Sequence, residues 1–210
     1  MRKPSSPRDS FQFSSFDYRA ITGGEDSLRL TVETIDNHVY FYADVDSDRC
    51  LALMRSLRET DTRLRAQHLS RGLENTPPIP IWLHIHSYGG DLFAGFSAAD
   101  QIRLLKSPVY SVVEGICASA AALISMSCSR RYILPNSFML IHQLSGAVWG
   151  THEQFKDELN LQSKAMERLI AFYASVSKVT EDEIRNMLQR DFWMDAEACV
   201  EFGFVDEILK

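Results

Sequence analysis

The sequence predicts an α/β domain made of repeated ββα units. Three observations point there. Runs rich in β-branched and aromatic residues at 39–45, 81–86 and 109–113 read as strands. Each is followed by a segment with helical apolar spacing. Strands and helices then alternate through the middle of the chain, the pattern of an α/β architecture. With 210 residues, 45% of them hydrophobic, the chain is long enough for a sizeable core and excludes global disorder.

The elements follow in order. Residues 1–27 are polar and without period. They read as a loose arm, or as a removable propeptide, with Phe11, Phe13 and Phe16 as its docking candidates. No apolar run of secretory type opens the chain. Residues 28–210 read as one domain. After the 39–45 strand, Ser47 or Asp48 caps a helix carrying Leu51, Leu53, Met54, Leu57 and Leu64. Pro77, Pro78 and Pro80 force an extended stretch before the 81–86 strand. Ser87-Tyr88-Gly89-Gly90 is a tight corner, and Asp91 caps a helix running to about 106.

The 109–113 strand leads into a small-residue helix at 118–127. This stretch is the most apolar of the chain, but it contains Glu114, and a carboxylate near a bilayer centre costs about 2.5–3.5 kcal/mol. A strand followed by a buried helix, not a membrane span, is the reading. Short strands are expected at 131–134, 138–141 and 147–150, then a long helix over 151–176 whose apolar spacing is too irregular for a coiled coil. Thr180 and Glu183 form a capping box opening a helix to Met187, and Phe204-Val205-Asp206 reads as a closing strand.

Composition narrows the function classes. Twenty-two basic against twenty-eight acidic residues give a net charge of −6, which argues against a nucleic-acid binder. Cys50, Cys117, Cys128 and Cys199 form neither a CxxC pair nor a metal spacing and read as free thiols of a reducing, cytoplasmic compartment. His84 and His86 share a strand face, yet no Cys, Asp or Glu accompanies them at ligand spacing, so no metal is expected.

Three features carry chemistry. Ser119, in Gly-Ile-Cys-Ala-Ser-Ala, opens a helix after a buried strand, where free N–H groups favour a developing anion. Its surroundings lack the glycines of a GxSxG elbow, and a buried capping serine explains it equally. Gly89-Gly90 lets backbone N–H groups face a cleft, as an oxyanion hole requires, or simply turns the chain. His142 ends an apolar strand, as a core histidine or as a general base.

Taken together, four segments resemble the ClpP family of serine peptidases, the proteolytic chamber of ATP-dependent Clp proteases. Leu134-Pro-Asn-Ser-Phe-Met-Leu-Ile-His-Gln143 is similar to that family's LPNSxxMIHQ segment, and Gly115-Ile-Cys-Ala-Ser-Ala120 to GQAASM. Ile85-His-Ser-Tyr-Gly-Gly90 resembles INSPGG, and Glu201-Phe-Gly-Phe-Val-Asp-Glu-Ile-Leu209 resembles EYGLVDxIL. The resemblance covers about residues 38–210.

The resemblance implies a ClpP/crotonase-like spiral of stacked ββα units with 151–176 as a protruding handle. It implies Ser119 as nucleophile, His142 as base, Asp191 as acid, and Gly90 and Ala120 as oxyanion donors, with Asp195 a helix cap. Two stacked heptameric rings, an AAA+ unfoldase partner and peptide or unfolded-protein substrates come with it. Gly146 to Gly150 would lie along the substrate, and Arg190 would pair across the ring interface. The chain has no P-loop, and no cofactor is expected.

The chain departs from the family at Tyr88, Ala121, Leu144 and Gln189, and residues 1–37 do not resemble its axial loops. A non-catalytic ring subunit and a crotonase-type acyl-CoA enzyme are the competing readings.

Overall fold

The structure, a computed structural model, describes residues 32–73, 75–147 and 149–210. The expectations for residues 1–27 lie outside the described residues. Among these, strands β1 (Val32–Ile35), β2 (His38–Phe41), β3 (Ile81–Ser87), β4 (Val109–Ala118), β5 (Arg130–Ile133), β6 (Phe138–Ile141), β7 (Phe192–Met194) and β8 (Glu207–Ile208) form one sheet. The main path is β1-β2-β3-β4-β5-β8, with β6 on β4 and β7 on β6. The pairs from β2 to β3, β4, β5 and β8 are parallel, while β1–β2 and β6–β7 are antiparallel.

Helices α1 (Ser47–Ser70), α2 (Leu92–Arg103) and α3 (Ala120–Met126) cross over between the parallel strands and cover one face. The alternation in β3 decides which side is core. Ile81, Leu83 and Ile85 are fully buried, whereas Trp82, His84 and His86 point to the opposite face and are half-buried. Helix α4 (His152–Val176) follows β6, and α5 (Glu181–Met187) and α6 (Ala196–Glu201) flank β7.

Several elements differ from the sequence reading. The first hairpin, β1–β2, is new: Asp36, at φ 51°, and Asn37 make its two-residue loop, a turn chemistry the sequence displays. The first helix is capped by Asp46, not by Ser47 or Asp48. Asp46 has extended backbone, so its carboxylate accepts from the Arg49 N–H at 2.8 Å. Helix α3 starts at Ala120, because β4 runs on to Ala118. Ala147, Trp149 and Gly150 form no strand; they are exposed and have no strand beside them.

At the C-terminus, Phe204 to Asp206 is a helix cap, and the strand begins at Glu207. Gly203, at φ 76°, ends α6, and the Phe204 and Val205 N–H groups turn back to the Cys199 carbonyl at 2.8 and 3.1 Å. The capping box expected at Thr180 forms, and a second one, at Thr151, opens α4. Asp195 caps α6 through the Ala198 N–H. All four cysteines are free and buried.

The opposite face of the sheet is a belt of rings. Tyr40 stacks on His84 at 4.4 Å, and Trp82 sits 5.5 Å from Tyr132 and 5.4 Å from Tyr110. His38 Nδ1 and His84 Nε2 are hydrogen-bonded at 2.9 Å. The pKa of His38 lies below its ordinary value, first because burial disfavours the cation, then because His84 is adjacent, with Asp36 opposing. The folded state therefore holds this proton less readily than the unfolded chain. Its stability contribution is full above about pH 6.5 and is lost as pH falls below that.

Two predictions follow from this packing. The Tm should fall between about pH 7.5 and pH 5.5 in calorimetry, with part of that fall absent in His38→Asn. A second concerns Arg131, which pairs with Asp206 at 2.6 Å and donates to the Val176 and Gly203 carbonyls at 2.5 and 3.0 Å. It ties β5, α4 and the last strand together. Arg131→Ala should cost about 2–3 kcal/mol, seen as a Tm lowered by roughly 4–10 °C. Arg131→Lys should recover only part, because an ammonium lacks the planar fork.

Candidate active site

The site begins with an irregularity in β4. Ile85 pairs with Val113, but Ser87 pairs with Cys117, so β4 carries two extra residues between these pairs. Upstream of the bulge β4 pairs with β5, through Tyr110 to Val113. Downstream it pairs with β6, through Ile116 to Ala118. The bulge thus moves the strand from one neighbour to another and aims its end at a new place.

The bulge is held on all sides. Gly115 has φ 77°, its N–H donates to Ser137 Oγ at 2.7 Å, and a side chain there would meet His86 Nδ1 at 2.8 Å. The Glu114 carboxylate accepts from His84 Nδ1 at 2.6 Å and from the Tyr42 hydroxyl, and its carbonyl accepts from His86 Nδ1 at 2.7 Å. The two histidines that shared a strand face therefore clamp the bulge. Burial and the Glu114 carboxylate push the Tyr42 phenol well up, which keeps it a donor.

Ser119 stands between β4 and α3 at φ 55°, ψ −124°. This is a costly region for a residue with a side chain, of order 1–3 kcal/mol. The result is a strained strand-to-helix turn, the backbone arrangement of a nucleophile elbow. The flanking glycines of such an elbow are absent from the local sequence, but their space comes from elsewhere. A Cβ at Gly89 would lie 2.5 Å from the Ala118 carbonyl and 2.7 Å from Ser119 Cβ. One at Gly95 would lie 3.1 Å from Ala120 Cβ. Gly95 in α2 is the supporting residue that reading the serine segment alone misses; its glycine in mid-helix was the available signal.

Gly90, Ser119, Ala120 and His142 line one cleft of about 250 Å³. Gly90 is placed by Val45, whose N–H donates to Gly89 O at 2.8 Å and whose carbonyl accepts from Asp91 at 2.7 Å. These two bonds straddle Gly90. Neither the Gly90 nor the Ala120 N–H finds an acceptor among the described residues. Ser119 is tied to the histidine strand, since its N–H donates to Leu140 O at 2.8 Å, two residues before His142.

Asp191 does not line the cleft. It lies exposed just before β7, one residue beyond the last β6–β7 pair, Ile141 with Phe192, as His142 does on the other strand. No hydrogen bond joins the side chains of Ser119, His142 and Asp191 among the described residues. The far wall belongs to α4, through Glu158, Leu161, Gln162 and Ala165. The expected handle thus also closes the cleft.

Comparison with known proteins identifies the family and the fold. The family described as Clp protease matches residues 34–210. An ATP-dependent Clp protease proteolytic subunit 2 of Treponema denticola is 35% identical over 133 residues, 62% of this chain and 66% of that protein. An ATP-dependent Clp protease proteolytic subunit of Streptococcus mutans is 34% identical over 134 residues, 62% of this chain and 68% of that one. The chain thus spans about two thirds of the curated relatives it matches. In fold, a ClpP1 mutant from Listeria monocytogenes superposes with a TM-score of 0.71 at 24% identity, over 83% of this chain and 92% of that one.

The glycine support of Ser119 yields a stability contrast. Gly72, at φ 65°, meets nothing within 4 Å, so Gly72→Ala carries only the left-handed penalty of about 1–2 kcal/mol. Gly89→Ala adds a collision with the Ser119 turn. Thermal melts should show the Gly89 variant losing clearly more than the Gly72 variant; equal losses would mean that the turn yields freely.

Proposed function

The chain belongs to the Clp protease family, a family of peptidase subunits, and from that premise we propose that it is a serine endopeptidase. It hydrolyses peptide bonds of unfolded proteins with Ser119, His142 and Asp191. The observation that carries this is the strained Ser119 turn, bonded through its N–H to the strand that His142 follows, with both residues on one cleft.

The chemistry follows from the groups present. Ser119 Oγ attacks the scissile carbonyl while His142 accepts its proton. The oxyanion forms beside the Gly90 and Ala120 N–H groups, whose lack of intramolecular acceptors leaves them available. His142 then gives its proton to the departing amine, and water hydrolyses the acyl-enzyme by the same route in reverse. Asp191 orients the imidazole and stabilises its cation. Its position one residue beyond the last β6–β7 pair, as His142 is on the other strand, supports that role.

The working form is two stacked heptameric rings enclosing a chamber fed by an AAA+ unfoldase in the cytoplasm. In that assembly Gly146 to Gly150 lies along the extended substrate, as an added strand would. The absence of side-chain hydrogen bonds among the three groups favours one second reading, a ring subunit whose triad is drawn together by its partners. Hydrogen bonds of catalytic groups are often loose before substrate arrives.

Intact mass after fluorophosphonate treatment tests this. Wild type should take a single adduct, and Ser119→Ala none. Peptide turnover should fall on the order of 10⁶-fold in Ser119→Ala or His142→Ala and about 10⁴-fold in Asp191→Asn. No adduct on assembled wild-type rings would overturn an intrinsically active peptidase and leave the partner-activated subunit.

A further inference from the structure

The α4 wall of the cleft carries a carboxylate with no cationic partner among the described residues. Residues 158, 161, 162 and 165 recur at helical spacing, so one stripe of α4 faces the cleft. Leu161 and Ala165 make that stripe apolar beyond its first turn, and Leu144 faces it from the segment after β6. Glu158 stands at the N-terminal end of the stripe, half-buried, accepting from Gln162 Nε2 at 3.1 Å.

Neighbouring acids on the same helix are satisfied differently. Glu153 pairs with Lys156 at 3.0 Å, and Glu167 with Arg185 at 2.7 Å. Glu158 has no cationic partner among the described residues. The other charged or titratable side chains lining the cleft are Asp91, His142 and the buried Tyr173; among the described residues no Lys or Arg lines it. Asp91 is committed, since it accepts from the Ala94 N–H at 2.6 Å as a helix cap. The cleft therefore combines an apolar stripe with the Glu158 carboxylate and, among the described residues, no Lys or Arg of its own.

We propose that Glu158 makes this end of the cleft a cation-selecting subsite, so that preferred substrates carry a lysine or arginine near the scissile bond. This rests on the peptidase reading above. The fit is chemical. A long aliphatic stem lies on Leu144, Leu161 and Ala165, and the charged head reaches the carboxylate, the way such side chains divide between apolar and polar surroundings. Gln162 holds the carboxylate in place before the substrate arrives. An acidic substrate residue at the same position meets the Glu158 carboxylate and is rejected, so selection comes from repulsion as well as attraction.

Binding to the Ser119→Ala protein, in its assembled form, separates this from turnover. Fluorescence anisotropy would compare labelled peptides that differ only in Lys, Gln or Glu at single positions along the chain. At one position the Lys peptide should bind about tenfold or more tighter than the Glu peptide, a preference that shrinks with added salt. The preference should collapse when Glu158→Gln is added and invert with Glu158→Lys, while Glu153→Gln leaves it intact. No Lys preference at any position, or one that survives Glu158→Gln, overturns the proposal. If the preference appears while wild type takes no fluorophosphonate adduct, the subsite stands and the peptidase reading falls. Wild-type turnover without charge preference means the reverse.

Discussion

The two extra residues of β4, at the bulge of Glu114 and Gly115, are the constraint on which the rest depends. A regular strand would have stayed between β3 and β5 to its end. The bulge instead lets one strand serve two neighbours in turn, β5 for its first half and β6 for its second. That change brings the end of β6, which His142 follows, beside the end of β4, which Ser119 follows. The bulge is fastened by groups from three other elements: Tyr42 after β2, His84 and His86 in β3, and Ser137 before β6. A half-buried carboxylate with two charge-assisted partners is well compensated, and removal of any partner would leave it exposed to the desolvation cost.

A second constraint is close packing around a strained residue. Ser119 occupies a backbone region that side chains disfavour, and it persists because its surroundings leave it no alternative. Gly89 approaches it too closely to bear a side chain, Gly95 packs tightly on the next residue, Ala120, and the Leu140 carbonyl holds the Ser119 N–H. The same crowding keeps Gly90 next to Val45, and its N–H has no acceptor among the described residues. Strain, glycine placement and free donors are thus one arrangement seen from three residues.

Much of this was legible in the chain. The β3 alternation, the caps at Asp91, Thr180 and Asp195, and the long helix from Thr151 appear where local periodicity and capping chemistry place them. The errors fall where local signals compete. Asp46, Ser47 and Asp48 are all good caps, and only the extended backbone of Asp46 selects among them. Phe204-Val205 has strand-like residues, but Gly203 just before them turns their N–H groups into a helix cap. His84 and His86 look like a ligand pair in one dimension; their partner, Glu114, comes from another strand.

The sequence by itself determined the α/β class, the order of the elements and the pairing of a serine segment with a histidine segment, because periodicity, turn residues and short motifs are local properties. Only the tertiary structure decided which glycines make room for Ser119, which strand β4 joins at its end, and that α4 brings Glu158 to the cleft. Those are contacts between residues tens of positions apart, set by packing and by the balance of buried polar groups. No window of the chain contains both sides of such a contact.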